Sequence, residues 1–196
     1  MPAAPDDAAP VPTYAFHPRL GGAAVAVTLE GGALAFVIGH REGRLALADI
    51  ARLHLRFQPA KFASATFELD IIGREGTRLR LASASRTGLT NVRDQGPDYA
   101  RFVRALHRAL AARGAEVACR GGYGALRWGL MVVLGAAACL GLAGVVAFAA
   151  AQGQWTTAGV IALLSAVVGW PMVETLRRNR PLTYPLDAPP KHLLPA

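Results

Sequence analysis

The chain has 196 residues, 53% of them hydrophobic, and a formal net charge of +8 at pH 7. Residues 1–125 carry 16 Lys and Arg against 11 Asp and Glu, and residues 126–196 carry five against two, so the positive charge is spread thinly. A nucleic-acid-binding protein concentrates basic residues in one patch, and this distribution argues against such a partner. The two cysteines, Cys119 and Cys139, have no His, Cys or acidic neighbour at metal-ligand spacing, so we expect reduced thiols without metal or redox chemistry.

The first 18 residues are rich in proline and alanine, and we predict a flexible segment over 1–18. Asp6 and Asp7 lie among the prolines, and the segment has neither a basic start nor an apolar stretch. It therefore lacks the features of a secretory signal. We expect the domain that follows, residues 19–114, to stay in the cytoplasm.

Short alternating segments separated by glycines follow as far as Ser85, a pattern typical of antiparallel sheet, and we predict six or seven strands before any helix. The clearest alternation places Leu53, Leu55 and Phe57 on one face of a strand. Its other face carries Arg52, His54 and Arg56. In the next strand, Glu68 and Asp70 are predicted to face outward, and residues 39–43 and 73–76 are predicted to form polar turns.

The period then changes to that of a helix. Apolar residues recur at spacings of four, three and four from Tyr99 through Val103 and Leu106 to Leu110. The helix is predicted to start near a capping Asp98 and to end near Gly114. Its outer face is predicted to carry Arg101, Arg104, His107 and Arg108.

Residues 115–126 contain three glycines and are predicted to form a hinge next to the membrane. Two apolar runs follow, and each is long enough to cross a bilayer. We predict transmembrane helices over 127–151 and 155–176. Ionisable groups in the middle of a membrane usually mark ion or proton paths, and both runs lack them there, which disfavours a transporter or channel.

The charges around the two runs predict their orientation. Arg120 and Arg127 precede the first run, three arginines follow the second, and the connection between them carries no charge. This positive-inside pattern predicts cytoplasmic N and C termini. The residues predicted to anchor this topology are Arg120, Arg127, Trp128, Trp155, Trp170, Arg177, Arg178 and Arg180.

Small residues recur at i, i+4 spacing within the runs: Ala137 and Gly141, then Ala158, Ala162 and Ala166, and also Ser165 and Gly169. Such spacing lets helices approach closely. It suits packing within the hairpin, with homo-oligomerisation as the alternative. The last segment, residues 177–196, is rich in proline and is predicted to be an extended cytoplasmic tail that is loose by default, although its apolar residues offer docking as an alternative.

The order of strands followed by one amphipathic helix resembles the pleckstrin-homology-like (PH-like) superfold. The resemblance covers about residues 15–113 and includes LALADIARLHLRF, from Leu45 to Phe57. Together with the two-span hairpin, the chain is similar to small bacterial inner-membrane proteins with a PH-like domain. The resemblance implies an α+β fold, a small antiparallel β-sandwich or barrel capped by one C-terminal helix, and a binding or adaptor role. No Lys or Arg lies between Arg19 and Arg41, where inositide-binding members carry basic residues, so no binding residue is transferred.

Two groups of basic residues are candidate lipid- or partner-facing sites: Arg52, His54 and Arg56 on a strand, and Arg101, Arg104 and Arg108 on the helix. The alternative for each is a solvated face. The sequence shows no catalytic constellation, metal site or cofactor motif, and we expect a protein that is not an enzyme. The leading hypothesis is an integral inner-membrane protein whose PH-like domain binds a protein partner or the anionic leaflet surface; the alternative is an accessory structural subunit of a larger membrane complex.

Replacing Arg177, Arg178 and Arg180 together with glutamine should weaken the orientation bias, because positive charges next to a span are retained on the cytoplasmic side. A topology reporter fused to the C terminus measures the effect. A reporter that stays cytoplasmic in every molecule would assign the orientation to the N-terminal domain instead.

Overall fold

The computed structural model describes residues 11–18, 22–59, 65–86 and 92–195. Its architecture is α+β: mostly antiparallel sheets come first, and two long apolar helices follow. In chain order the elements are β1 (Thr13–Phe16), β2 (Val25–Glu30), β3 (Ala33–Ile38), β4 (Arg41–Ala46), β5 (Ile50–Gln58), β6 (Thr66–Gly73), β7 (Arg78–Ala82), β8 (Ala84–Arg86), β9 (Val92–Asp94), α1 (Gly96–Ala111), β10 (Ala118–Gly121), α2 (Ala125–Ala151), α3 (Trp155–Arg178) and β11 (Leu182–Thr183).

Two sheets and α1 enclose the core of the N-terminal domain. The first sheet has the order β1-β2-β3-β4 and is antiparallel throughout. The second has the order β11-β10-β5-β6-β7, in which β10 runs parallel to β5. The alternation predicted for β5 is confirmed, since Leu53, Leu55 and Phe57 are all buried. The small β8-β9 pair stands apart from both sheets.

The start of the domain differs from the sequence prediction. Residues 1–10 of the predicted flexible segment lie outside the described part of the chain, but β1 lies within that segment. Its Tyr14 and Phe16 are buried, and the Tyr14 hydroxyl donates a hydrogen bond to the carbonyl of Ala82 at 2.6 Å. The two aromatic residues offset the low strand propensity of the neighbouring prolines, because burying large apolar side chains dominates local preference.

Three local predictions also differ from the structure. Strand β4 begins at Arg41, inside the predicted polar turn 39–43. Asp98 lies in the first turn of α1, and Gln95 occupies the N-cap position instead. His107 was predicted on the outer face of α1 but is buried, at 1% exposure. Its place in the apolar stripe, next to Val103 and Leu106, explains that burial.

The apolar runs form α2 and α3, two helices long and apolar enough to cross a membrane. A tight turn at Gln152 to Gln154 joins them. They approach closely at Gly135, where an added Cβ would lie 2.6 Å from Met172 Cε. Ala149 and Ala158 are also buried between them. The hairpin therefore packs through small residues, as predicted.

Most of the small residues singled out in the sequence nevertheless face away from this contact. Ala137, Gly141, Ala162 and Ala166 are exposed along the hairpin. A Cβ added at Gly141 would meet no atom within 4 Å. Of the predicted set, Ala158 is buried, and Ser165 and Gly169 are partly buried.

The segment after α3 differs from the loose tail predicted for it, because it folds back on the domain. Its β11 pairs with β10, which lies in the predicted hinge, so the two segments that flank the hairpin are hydrogen-bonded to each other. Tyr184, Leu193 and Leu194 are buried in the core. Consequently both ends of the hairpin lie on the same side of any membrane that it crosses.

Asn179, at the end of α3, closes the second sheet. It is fully buried, and its Oδ1 accepts a hydrogen bond from the Phe57 backbone nitrogen at 3.0 Å. Its Nδ2 donates to the Phe57 carbonyl at 2.7 Å and to the Thr175 carbonyl at 3.0 Å. The side-chain amide thus pairs with Phe57 as a neighbouring strand would, beyond the point where β10 ends. Buried backbone groups need such partners.

Gly122 allows the chain to pass beneath Asn179. Its φ is +76°, a conformation that disfavours other residues, and an added Cβ would collide with the carbonyl groups of Asn179 and Arg180. Its backbone nitrogen donates to the Leu55 carbonyl at 2.9 Å. The glycine that suggested a hinge is therefore required for close backbone approach.

Replacing Asn179 with alanine should lower the free energy of unfolding of the domain by about 1–3 kcal/mol, because both backbone groups of Phe57 would be buried without partners. The thiol of Cys119 reports unfolding, since it is 5% exposed and burial raises its pKa to about 11. The measurement is thermal unfolding of the full chain in detergent, followed by a thiol-reactive dye in a Cys139→Ala background. Gln58→Ala, at an exposed neighbour, is the control, and equal midpoints for the two variants would contradict the role of Asn179.

Candidate functional site

An open cleft of about 1320 Å³ lies at the end of the domain next to the hairpin. Its walls are α1, the facing ends of β5 and β6, the last turns of α3 and the C-terminal segment. The cleft is lined by Phe57, Ala65, Phe67, Asp94, Gly96, Pro97, Arg104, His107, Arg108, Glu174, Arg178, Asp187, Ala188, Pro189, Lys191, Leu194 and Pro195. Four separate regions of the sequence therefore build one site.

Apolar side chains form part of the cleft lining. The rings of Phe57 and Phe67 pack with their centroids 5.4 Å apart, and both are buried by the core behind them. Pro97 at the start of α1 and Ala188 and Pro195 of the C-terminal segment add apolar surface that is at least partly exposed. This part of the lining suits hydrocarbon or another apolar group of a ligand.

Charged side chains of both signs also line the cleft. Arg178 is held in place from three directions: its Nε lies 3.0 Å from Glu174 Oε1, its guanidinium lies 4.7 Å from the centre of the Phe57 ring, and it donates to the His192 carbonyl at 3.4 Å. The Asp94 carboxylate accepts a hydrogen bond from the Gly96 nitrogen at 2.8 Å. Both arrangements fix the walls of the cleft.

The other cations of the cleft lining form no ion pairs with described residues. They are Arg104, Arg108 and Lys191, and all three are exposed. Arg104 and Arg108 lie one turn apart on α1, so their side chains share a face. These three cations are available to an anionic ligand.

His107 ties the C-terminal segment to α1 beneath the cleft. Its Nδ1 donates to the Val103 carbonyl at 2.8 Å, which leaves Nε2 to accept a hydrogen bond from the Tyr184 hydroxyl at 3.2 Å. The two rings stack with centroids 5.9 Å apart. Burial lowers the pKa of His107, although the bond to Val103 opposes that shift. The neutral imidazole therefore fits this contact.

The strand residues proposed as a basic face do not form one. Arg56 lies 2.6 Å from Asp70 and 3.4 Å from Glu68, and Asp70 also pairs with Arg80 at 2.7 Å. Glu68 and Asp70 face outward as predicted, but they are covered by these arginines. His54 donates from Nε2 to the Gly122 carbonyl at 2.6 Å, and burial lowers its pKa. Of the predicted trio only Arg52 is exposed.

The helix residues divide between two places. Arg104 and Arg108 lie at the cleft, whereas Arg101 pairs with Asp98 at 3.4 Å and lines a smaller groove next to Tyr14. Arg108 borders both recesses. Only part of the predicted arginine face thus belongs to the site.

The predicted topology anchors lie around the base of the hairpin and at its far turn. Trp128 donates from Nε1 to the Leu176 carbonyl at 2.9 Å and so joins the two helices. The Arg127 guanidinium lies 4.5 Å from the centre of the Tyr123 ring. The other predicted anchors are exposed or, for Arg178, held in the cleft wall: Arg120, Trp155, Trp170, Arg177, Arg178 and Arg180.

The sequence did not indicate the cleft residues Glu174, Asp187 and Lys191, nor Asn179, which fixes the end of α3 beside the cleft. The apolar tail residues had been noted, but no local pattern shows that a segment beyond two apolar helices returns to α1.

Within the described ranges no group of three His, Cys, Asp or Glu residues is placed to hold a metal ion. The chain matches no protein-family model, no curated protein and no solved structure.

The stability of the domain should fall as the pH drops below about 6.5, the ordinary pKa of histidine. The pKa of buried His107 is lowered in the folded state, so below that pH the unfolded chain binds a proton more readily than the folded chain does. The contribution of His107 to the free energy of unfolding is therefore complete above that pH and is lost below it. Thermal unfolding between pH 7.5 and 5.5 measures this slope. His54 contributes in the same direction.

His107→Gln should reduce this pH dependence, whatever its effect on stability at pH 7.5. His40→Gln, at an exposed residue between β3 and β4, is the control and should leave the slope unchanged. Identical slopes for the wild-type chain and His107→Gln would contradict a neutral, structural His107.

Proposed function

We propose that this protein is a non-enzymatic membrane protein that holds a PH-like binding domain against the cytoplasmic surface of a bacterial inner membrane. The strand order supports the PH-like part of the proposal: a four-stranded sheet, then three antiparallel strands, then one helix. Strands β10 and β11 are additions to that plan, and they come from the two segments that flank the hairpin.

One observation carries the proposal: the domain is attached to both ends of the hairpin. Strand β10 leads into α2, β11 follows α3, and Asn179 joins the end of α3 to Phe57. A domain fixed in this way keeps its cleft next to the membrane. Binding there loses less conformational freedom than binding by a loosely tethered domain, which favours recognition at the surface.

The polar groups of the cleft favour binding over catalysis. Asp94, Arg104, Arg108, Asp187 and Lys191 are exposed on its walls. Catalytic acids and bases are usually desolvated, with shifted pKa values. Burial lowers the pKa of His107 in the lining, but both nitrogens of its ring are engaged, by Val103 and Tyr184, and are not available to a substrate.

An accessory subunit of a larger membrane complex is the alternative, and one observation favours it. Ala137, Gly141, Ala162 and Ala166 face outward from the hairpin, where another helix can approach closely. In that case the contacts that matter would be made by α2 and α3, and the cleft would be incidental.

Photo-crosslinking of the full chain in its own membranes distinguishes the two functions. A photoreactive amino acid replaces Lys191 at the cleft, Leu140 on the outer face of α2, or Glu75 in the exposed turn between β6 and β7 as the control. We expect one defined adduct, a lipid or a protein, at 191 and none at 75. A single foreign membrane protein captured at 140, with nothing at 191, would support the accessory subunit; no adduct at either position would overturn both functions.

A further inference from the structure

We propose that the cleft binds the phosphate head group of an anionic phospholipid from the leaflet that surrounds α3. The inference rests on the proposed function, because it requires the domain to lie at the membrane surface, and it names the ligand.

The cleft is continuous with the lipid-facing side of α3. Glu174 and Arg178 line it, and both belong to the last turns of that helix. Trp170 lies one turn before Glu174 on the same face and is 72% exposed. Val167, about three turns before Arg178, shares that face and is 63% exposed. Acyl chains packed along this side would bring their head group to the cleft.

The exposed Trp170 also indicates the depth of the cleft in the bilayer. Tryptophan side chains concentrate at the level of the lipid head groups. Glu174 follows Trp170 by four residues, which is about 6 Å along a helix. The walls of the cleft therefore begin within about one helical turn of the head-group level.

The charges of the cleft favour an anion. Arg178 and Glu174 offset each other within their ion pair. The remaining charged residues of the lining are three cations, Arg104, Arg108 and Lys191, and two anions, Asp94 and Asp187. The carboxylate of Asp94 already accepts a hydrogen bond from the Gly96 nitrogen. Arginine is the preferred partner of phosphate oxygens, because its guanidinium donates hydrogen bonds in a fixed planar fork.

The apolar lining distinguishes a lipid from a free phosphate compound. Pro97, Ala188 and Pro195 line the cleft together with the cations, are at least partly exposed, and would cover the glycerol and first methylene groups of a phospholipid. A soluble phosphate ester would leave this surface exposed. An acidic peptide is disfavoured as the main occupant, because a peptide would not use the lipid-facing side of α3.

The test is native mass spectrometry of the full chain, delipidated in detergent and titrated with phosphatidylglycerol or with phosphatidylethanolamine of the same acyl chains. Arg104→Gln/Arg108→Gln is the test variant. Arg78→Gln/Arg101→Gln removes the same charge outside the cleft and is the matched control. Cys119 protection establishes that both variants are folded.

We expect one phosphatidylglycerol to bind per chain, at least tenfold more weakly to the test variant and unchanged in the control. Phosphatidylethanolamine should bind more weakly, and millimolar glycerol phosphate should not compete. Equal binding of the two lipids, equal loss in both variants, or full competition by glycerol phosphate would overturn the proposal. A protein adduct at position 191 together with no lipid binding would overturn the identification of the ligand as a lipid but leave the proposed binding function intact.

Discussion

The fold depends on the pairing of the Asn179 amide with the backbone of Phe57. Those residues are separated by 122 positions and by both membrane helices, yet their atoms meet with no solvent between them. The pairing extends the second sheet past the end of β10, fixes the end of α3 against β5, and directs the C-terminal segment across the core. Gly122, which has no side chain, leaves the space that this crossing requires. The cleft exists because the end of α3 and the C-terminal segment are held against the domain.

On the outer face of the second sheet, neighbouring strands change the net charge that the sequence of β5 alone would predict. In the sequence, Arg52, His54 and Arg56 alternate with leucines and indicate a basic surface. In the fold, β6 brings Asp70 and Glu68 next to Arg56, and β10 brings a carbonyl to His54. Buried charges need such compensation. The face is therefore largely neutralised, and the positive charge that remains available at a recess comes from α1 and the C-terminal segment.

Local periodicity was sufficient to predict the elements that carry a strong repeat. The alternation of β5 and the apolar stripe of α1 follow from spacing, because each element buries one face. Both long helices follow from the length of their uninterrupted apolar runs. β1 was missed, since only two aromatic residues among prolines mark it. The cleft was missed almost entirely: Arg104 and Arg108 were identified, but their partners lie at the end of the chain, where no local repeat reports a contact 80 residues away.

The placement of Leu193 and Leu194 in the core has a consequence for biosynthesis. Both residues follow the two apolar helices in the sequence, so they are synthesised after them. The strands before α1 and α1 itself are made earlier, but the core that they form lacks these two leucines until the segment after α3 has folded back. Where the hairpin crosses a membrane, completion of the core requires both helices to cross it, because a single crossing would leave the leucines on the side opposite the domain. Such a chain would keep an incomplete core.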